Sequence, residues 1–335
     1  MASAAPTLRY LSAADVVASM PALPERLALA ERTMRALVAD ADMPPKIGVH
    51  ARAPGTFGHA MPAYLRGPAA DGSADGLGMK WVTGSPANNA LGLPAINALV
   101  VLNDPVTALP VAVLDGGPIT AQRTAAVSGV AIGAYAPVGI GRPLRVGIVG
   151  AGTQARAHLP VLGHILPGVE LALFDRHPER AATLVEEARR TDGIGAAVAV
   201  ESARDSVEGA DVVLTLASFT TPDRRQVMTL DWLAPASLVV AVDYDTMCAA
   251  EVAVDAPLFL VDDRGQFLAN RAAGSFAGYP DPGATIGEAL ISGTPRPEGG
   301  RVLVSHLGVG LADVVFGNAI LAAARAAGRG IELAR

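Results

Sequence analysis

One segment in the middle of the chain constrains the fold more than any other. Arg145–Val149 is a short apolar strand, and the sequence Gly150-Ala-Gly-Thr-Gln-Ala155 follows it directly. A helix is predicted from Thr153 to Leu166, and a second apolar strand, Glu170–Phe174, is followed by Asp175. Strand, glycine-rich turn, helix, strand and acid in this order predict a doubly wound α/β unit with a dinucleotide site at the turn.

Each residue type in this segment suits a dinucleotide. Gly150 permits the tight turn, Gly152 lets the backbone approach the pyrophosphate, and Ala155 lets the helix pack closely on the strand. The helix N-terminus offers unpaired N–H groups and a positive partial charge to the pyrophosphate. Asp175 is predicted to accept hydrogen bonds from the adenosine ribose, which favours NAD over NADP, although the neighbouring Arg176 would soften that preference. The pattern therefore predicts NAD as the cofactor, with NADP possible.

A later strand end belongs to the same predicted site. A strand is predicted over Ala210–Leu216, and Ser218 and Thr220 follow it at the carboxyl edge of the sheet. Either hydroxyl would bond a phosphate or a ribose, or would instead cap a helix. The predicted cofactor contacts are Gly150, Gly152, Thr153, Gln154, Ala155, Asp175, Arg176, Ser218 and Thr220.

The position of the dinucleotide segment predicts the domain organisation. The chain has 335 residues, which corresponds to about two domains. The portion before the segment is rich in predicted strands, among them Leu77–Val82, Ala98–Leu102 and Val111–Asp115. The predicted fold is α/β, with a Rossmann-type doubly wound sheet inserted after a strand-rich α+β domain for substrate binding and dimerisation. The predicted boundaries are residues 1–118 plus 316–335 for that domain and residues 119–315 for the Rossmann domain.

Composition and charge exclude other classes of protein. A hydrophobic content of 51% contradicts disorder, and a net charge of -6 disfavours binding to nucleic acid. The most apolar run, residues 95–114, is interrupted by polar residues and prolines, and residues 1–17 lack the pattern of a secretory leader. Cys248 is the only cysteine, and the six histidines form no metal-ligand pattern; His158 and His164 are expected on the surface. We therefore expect a cytoplasmic protein with no metal, membrane or nucleic-acid partner.

Several blocks of the sequence are distinctive in combination. They are Met61–Leu65, Gly76–Pro105, Ile119–Ala131, Gly147–Leu159, Ala241–Glu251 and His306–Val314. Together they resemble the ornithine cyclodeaminase/mu-crystallin family over nearly the whole chain. The resemblance implies hydride transfer between the nicotinamide C4 atom and the α-carbon of an amino or imino acid. It also implies a homodimer that pairs through the non-Rossmann portions, and a last helix that returns to the first domain.

The resemblance also implies roles for individual residues. Lys80 and Arg123 occupy the positions that bind the substrate α-carboxylate, which suits them because Arg binds a carboxylate bidentately. Asp245, six residues before Glu251, occupies the position of the family's acid/base. Lys80 and Asp245 are the predicted catalytic residues. The structural alternatives are a surface salt bridge for Arg123, a solvated strand end for Lys80 and a turn residue for Asp245.

Several positions depart from the cyclodeaminases of the family, among them Asp243 and Tyr244 at the start of the Asp245 motif and Ser305, His306 and Leu307 near the C-terminal motif. Two of the departures bear on the substrate. Lys46 stands where those enzymes carry an arginine, and His59 stands where the ornithine enzyme carries an acid. Loss of the acid argues against recognition of a distal amino group. Lys46 and His59 instead indicate an electropositive pocket that suits a second carboxylate, as in iminosuccinate, or a short substrate such as iminopropionate. The predicted substrate-binding residues are Lys46, His59, Lys80 and Arg123, and the alternative for His59 is a hydrogen-bonded core histidine.

The combined observations favour an NAD(P)H-dependent reductase of a small α-imino acid, whose reverse reaction is that of an amino acid dehydrogenase. One alternative is deamination and cyclisation of the ornithine cyclodeaminase type, in which NAD is recycled. The other is a cofactor-dependent ligand-binding protein of the mu-crystallin kind. A small amino or imino acid and a second copy of the chain are the expected partners.

Overall fold

The computed structural model describes residues 7–335, and the chain divides into two units. The first unit contains the chain as far as Arg123 together with Val309–Arg335, and the second contains Thr124–Gly308. Residues 1–6, with which the predicted first domain begins, lie outside the described residues. The sequence placed the divisions near residues 118 and 316. In the structure the first division, like the predicted one, lies within a continuous helix, Gly116–Tyr135, so no break in the sequence pattern marks it.

The first unit is built on a sheet of eight strands. They are β1 (Thr7–Leu11), β2 (Ala41–Asp42), β3 (Ile47–His50), β4 (Phe57–Leu65), β5 (Gly76–Gly84), β6 (Ile96–Asn103), β7 (Pro110–Asp115) and β16 (Ile331–Ala334). Their order is β16-β1-β7-β6-β5-β4-β2, and β3 also pairs with β4. Strands β4 to β7 form an antiparallel meander, whereas β1 lies parallel to β7.

Helices cover one face of this sheet. They are α10 (Gly310–Ala326), which packs on β4, β5 and β6, and α1 (Ala13–Ala18), which packs on β7. The helix α2 (Leu23–Ala36) packs on α10, and α3 (Gly116–Tyr135) begins in this unit. Burial alternates along β5, so Gly78, Lys80 and Val82 share the buried face. The helix α10 packs on that face, because a Cβ atom at Gly78 would lie 3.3 Å from the Val314 side chain. The sequence pattern of β5 therefore places the Lys80 side chain on the side of α10.

The second unit contains a sheet of eight parallel strands. They are β8 (Arg145–Val149), β9 (Val169–Phe174), β10 (Ile194–Ala199), β11 (Val212–Thr215), β12 (Leu238–Ala241), β13 (Leu258–Val261), β14 (Ala284–Thr285) and β15 (Val302–Ser305). Their order is β10-β9-β8-β11-β12-β15-β13-β14. The helices are the rest of α3, α4 (Thr153–Ile165), α5 (Pro178–Ala188), α6 (Ala203–Val207), α7 (Ala250–Asp255), α8 (Arg264–Ala272) and α9 (Ile286–Ser292).

The central strands consist of buried residues, which is typical of a parallel sheet covered by helices on both faces. Every residue of β11, β12 and β15 is buried, as expected where helices pack on both sides. The predicted α/β fold class with a doubly wound sheet is confirmed. The apolar run at residues 95–114 forms β6, a turn and β7. Within residues 7–335, the structure contains no helix with the length and apolar character needed to cross a membrane.

Candidate active site

The turn after β8 has the geometry that a pyrophosphate requires. Gly150 has a φ of +105°, and a Cβ atom there would lie 2.5 Å from the carbonyl oxygen of Leu216, so only glycine fits. Gly152, the N-cap of α4, faces open space, with no described atom within 4 Å of where its Cβ would stand. No described side chain caps α4, so its first backbone N–H groups are available to an anion. This turn fits the diphosphate of a dinucleotide.

Asp175 follows β9 and is tied to the same turn. Its Oδ2 atom accepts the N–H of Ala151 at 2.8 Å, and its Oδ1 atom accepts the N–H of His177 at 2.9 Å. A carboxylate oxygen can accept more than one hydrogen bond. Asp175 can therefore fix the glycine turn and still bind ribose hydroxyls. Arg176 beside it is exposed, and its side chain makes no hydrogen bond or ion pair among the described residues.

The other predicted cofactor residues lie in the first turn of α4 and in the loop after β11. Thr153 is exposed, and Oε1 of the partly buried Gln154 has no hydrogen-bond partner within the described part of the chain. Ser218 is exposed and Thr220 is partly buried. The helical turn that follows, Pro222–Arg224, has Thr221 as its N-cap, so the alternative of a helix cap at Ser218 or Thr220 is wrong.

Asp245 lies beyond the end of β12, the neighbour of β11 in the sheet. The residue is 3% exposed. Its Oδ2 atom accepts the backbone N–H of Phe276 at 2.8 Å, and its Oδ1 atom lies 3.5 Å from Nη1 of Arg225. The predicted acid/base is therefore buried at the carboxyl edge of the sheet, where one of its oxygens anchors a neighbouring loop.

A second buried carboxyl group, which the sequence analysis did not assign to the site, belongs to Asp243. Thr215 donates its hydroxyl to Oδ1 of Asp243 at 2.6 Å, and the N–H of Ala217 donates to Oδ2 at 3.1 Å. Burial raises the pKa of Asp243 to about 7, although these two hydrogen bonds act in the opposite direction. Asp243 thereby joins the ends of β11 and β12. Its place two residues before Asp245, where the family usually has a small residue, was the signal in the sequence.

The first unit contains a buried cluster of two cations and one carboxylate. Lys80 on β5 and Arg123 on α3 are 1% and 5% exposed, and Asp313 on α10 is 0% exposed. Nζ of Lys80 lies 2.8 Å from Oδ2 of Asp313, and Nε of Arg123 lies 3.2 Å from Oδ1. The surface alternatives for Lys80 and Arg123 are therefore wrong. With Lys80 protonated, the cluster has one more positive charge than negative charges.

Burial and charge act together on the groups near this cluster. The pKa of Lys80 is lowered to about 7, mainly by burial and also by the charge of Arg123, while Asp313 opposes the shift. The pKa of the partly buried His59 is lowered to about 4, mainly by burial and also by the charges of Lys46, His50 and Lys80. At neutral pH, His59 is consequently an uncharged imidazole.

Two further residues were missed or misplaced by the sequence analysis. Asp313, the partner of both cations, was not among the predicted site residues. His158 was expected on the surface but is fully buried, and its Nε2 atom lies 2.8 Å from Oγ of Ser128 on α3. His164, in contrast, is exposed as predicted. No group of three or more side chains among residues 7–335 is arranged to hold a metal ion.

Comparison with known proteins identifies the family. The model of the ornithine cyclodeaminase/mu-crystallin family matches residues 11–259. The chain belongs to this family. The nodulation efficiency protein NfeD of Rhizobium meliloti is 32% identical over 330 residues, which cover 96% of this chain and 97% of that protein. The alanine dehydrogenase of Archaeoglobus fulgidus is 31% identical over 287 residues, which cover 82% of each protein.

A solved member of the family has the same fold. It is an archaeal alanine dehydrogenase dimer with bound NAD, and it is 25% identical to this chain, with a TM-score of 0.82. The match covers 98% of this chain and 99% of that one. The resemblance inferred from the sequence blocks is thus confirmed, and both units belong to the architecture of the family.

Proposed function

We propose that this protein is an NAD-dependent oxidoreductase that transfers a hydride between the cofactor and the α-carbon of a small α-imino or α-amino acid. The observation that carries the proposal is the buried cluster of Lys80, Asp313 and Arg123, which has an unbalanced positive charge. The glycine turn fits a dinucleotide and is therefore the proposed binding site of the cofactor, the second ligand of such a reaction. The likeness to an NAD-bound alanine dehydrogenase supports the pairing of these two ligands.

The cluster is suited to bind the α-carboxylate of the substrate. Asp313 engages only Nε of Arg123, and the two Nη atoms have no hydrogen-bond partner among the described residues. These Nη atoms can therefore donate to a second carboxylate, while the ammonium of Lys80 contributes its charge. A buried site with one uncompensated positive charge binds a negatively charged ligand most favourably, because the ligand compensates that charge. In this proposal Asp313 is the residue that holds both cations in position.

The cofactor would be held by residues of the second unit. The N–H groups of the first turn of α4, above Gly152, would bind the pyrophosphate, and Asp175 would bind the adenosine ribose. Thr153, Gln154, Ser218 and Thr220 are the further proposed contacts. When bound, NAD supplies or accepts the hydride. The carboxylate of Asp175 disfavours a 2′-phosphate, so we propose NAD rather than NADP as the preferred cofactor.

Asp245 is the proposed acid/base for the substrate nitrogen. Its Oδ1 atom lies 3.5 Å from Arg225, which is longer than an ordinary hydrogen bond. This oxygen therefore keeps acceptor capacity for a proton, while Oδ2 is engaged by Phe276. In the direction of imine reduction Asp245 would donate a proton to nitrogen, and in the reverse direction it would remove one.

The positive surroundings of the carboxylate site favour a short or dicarboxylic substrate. His59 is uncharged at neutral pH, and the charge of Lys46 contributes to the lowered pKa of both His59 and Lys80. A second carboxylate near Lys46 would relieve this excess of positive charge. Among imino acids, iminosuccinate has that chemistry, and iminopropionate is the short monocarboxylic counterpart.

Oxidation of NADH by purified protein tests the proposal directly. Pyruvate, oxaloacetate and glyoxylate would each be supplied with ammonia or methylamine, and preformed cyclic imines would be tested separately. We expect NADH loss equal to the amino acid formed, and a loss of this activity in Arg123→Met. Ammonia release from ornithine without net NADH change would instead establish a cyclodeaminase. Ligand binding without turnover would establish a binding protein.

We also infer that a second copy of the chain covers the outer face of the first sheet. Ile47, Trp81 and Leu99 lie in one cross-strand row over β3 to β6, and they are 60%, 38% and 43% exposed. An apolar row of this kind usually marks an interface. Sedimentation of the purified protein at several concentrations would test the dimer, and Trp81→Lys should weaken it.

We infer in addition that the protein is cytoplasmic, which the free, buried thiol of Cys248 supports.

A further inference from the structure

A chain of buried polar groups runs through the second unit. Nδ1 of His158 lies 2.7 Å from the carbonyl oxygen of Gln154, and Nε2 of His158 lies 2.8 Å from Oγ of Ser128. The same Oγ lies 2.8 Å from Nε2 of His306. Ser128 and His158 are 0% exposed and His306 is 1% exposed. One serine hydroxyl therefore bridges two buried imidazoles.

The positions of the hydrogens in this chain follow from its fixed end. A carbonyl oxygen only accepts, so Nδ1 of His158 must carry the hydrogen that it shares with Gln154. Burial lowers the pKa of His158 to about 4, so at neutral pH the ring is uncharged and its Nε2 is an acceptor. The single hydroxyl hydrogen of Ser128 must then go to His158. Ser128 has no second hydrogen, so Nε2 of His306 must be the donor of the last bond.

This chain of hydrogen bonds connects two places at the proposed cofactor site. Gln154 and His158 belong to α4, and Gln154 lies in the first turn of that helix. His306 follows β15, and its N–H donates to the carbonyl oxygen of Ala241 at the end of β12. Apolar packing of small side chains gives little directional preference, whereas a hydrogen-bonded chain fixes distances and orientations. The first turn of α4 and the edge at β12 and β15 are thus held in one geometry.

The chain cannot conduct a proton from one end to the other. Its Gln154 end is a peptide carbonyl, which does not take up a proton at physiological pH. A proton that reached Ser128 from His306 would therefore have no exit through His158. The arrangement restricts the tautomer of His306 instead.

We propose that Ser128 and His158 are positioning residues of the cofactor site, which keep the hydrogen of the His306 ring on Nε2 and fix the first turn of α4 against the ends of β12 and β15. The part of this proposal that concerns NAD rests on the proposed function. The position of that hydrogen does not, because it follows from hydrogen bonds within the protein and from the uncharged ring of buried His158. The role is distinct from those of Asp175 and Asp245, which would contact the cofactor or the substrate.

Nitrogen-15 NMR of the imidazoles in the cofactor-free protein tests the tautomer. We expect Nε2 of His306 and Nδ1 of His158 to have shifts of protonated nitrogens at neutral pH. In Ser128→Ala, His306 should lose this single tautomer and show averaged shifts. An Nδ1–H tautomer of neutral His306 in the unmodified protein would overturn the proposal, and so would an unchanged His306 spectrum in Ser128→Ala. The measurement on the unmodified protein does not depend on whether the variant folds.

NAD titration of the same variants tests the positioning role. In Ser128→Ala we expect the Kd for NAD to rise by about tenfold, since members of one hydrogen-bond network are strongly coupled. Ser206→Ala is the matched control, because Ser206 is also fully buried in the second unit and donates only to the carbonyl of Ala203. The control should leave the Kd and the His306 tautomer unchanged.

The outcomes of the two measurements separate the two proposals. An equal rise of the Kd in both serine variants would mean that general loss of stability explains it, and would overturn the positioning role. Failure of the unmodified protein to bind NAD, with the His306 tautomer as expected, would overturn the proposed function and leave the assignment of the hydrogens intact.

Discussion

Nζ of Lys80 lies 2.8 Å from Oδ2 of Asp313, and both side chains are almost completely withdrawn from water. Removal of one member of a buried ion pair leaves the other charge uncompensated, which is far more costly than the loss of an exposed pair. Here the carboxylate compensates two cations, because Arg123 shares it. Asp313 is therefore the residue on which the stability of the carboxylate site depends most.

The first prediction concerns the substitution Asp313→Asn. We expect it to lower the free energy of unfolding by about 3–5 kcal/mol at pH 6, because two buried cations then lack a counter-charge. At pH 9 the loss should be smaller, since Lys80 can release its proton when its pKa is near 7. Urea denaturation at both pH values measures the difference. Asp223→Asn, at an exposed position, should have no effect, and equal stability of Asp313→Asn and the unmodified protein would contradict the prediction.

The second prediction concerns the pH dependence of catalysis. The lowered pKa of Lys80, about 7 in the free protein, means that its positive charge is lost as the pH rises through neutrality. We expect kcat/KM to fall above about pH 7 and kcat to fall only at higher pH, because a bound carboxylate stabilises the charged lysine. Initial rates with a preformed cyclic imine avoid the titration of ammonia. Lys80→Arg keeps its charge, so the decline near pH 7 should disappear, and its persistence would assign it to another group.

The lowered pKa of Lys80 also predicts how the stability of the protein depends on pH in the absence of ligands. The unfolded chain holds the Lys80 proton up to a pKa of about 10.5, whereas the folded chain releases it near 7. Between these values the unfolded state binds more protons, so the contribution of Lys80 to the free energy of unfolding increases with pH. The slope is at most about 1.4 kcal/mol per pH unit. A slope that is the same in Lys80→Met would show that Lys80 does not cause it.

The glycine turn and the carboxylate cluster differ in how far the sequence could predict them. Gly150 and Asp175 lie in one strand–helix–strand segment, so their relation follows from local spacing. Arg123 and Asp313, in contrast, are 190 residues apart in the chain. The cluster forms only when α10, which carries Asp313, packs beside β5 with Lys80 and α3 with Arg123, and no local pattern around Asp313 predicts that packing. A resemblance to a family predicted the two cations, but the carboxylate between them required the structure.

His158 shows a different limit of the sequence pattern. Its position on α4 gave no indication of a buried partner, and a lone histidine on a helix was expected at the surface. Its burial is decided by Ser128 on α3 and by His306 after β15, which the fold brings to the same place. Polar groups in a buried chain satisfy one another, so none of them is recognisable until all three are located.

The third prediction concerns substrate selectivity. We expect Lys46→Ala to raise the KM for a four-carbon dicarboxylic substrate by about tenfold, as for the loss of one hydrogen bond to a charged group. The KM for the three-carbon monocarboxylic analogue should change little. His59→Ala should have a smaller effect, because the lowered pKa of His59, about 4, leaves it uncharged at neutral pH. His50→Ala, on the exposed strand β3, is the control. Small and equal effects on both substrates would exclude a second carboxylate at this position.

The fourth prediction concerns the choice between NAD and NADP. In Asp175→Asn the amide oxygen can still accept the N–H of Ala151, with loss of the bond from the His177 N–H, so the glycine turn should keep its geometry. The negative charge is lost, and with it the repulsion of a 2′-phosphate. We expect the ratio of the Kd for NADP to the Kd for NAD to fall by about tenfold or more, which corresponds to roughly 1.4 kcal/mol.

Calorimetric titration with both dinucleotides measures this ratio. Glu179→Gln is the control, because Glu179 is exposed at the start of α5 and its removal also takes away one negative charge. If both variants shift the ratio equally, the preference for NAD over NADP comes from the summed negative charge of the second unit and not from Asp175 in particular. If Asp175→Asn weakens both cofactors equally, Asp175 acts only through the turn. A selective gain for NADP in Asp175→Asn alone would mean that the charge itself, held in place by the Ala151 N–H, discriminates between the two cofactors.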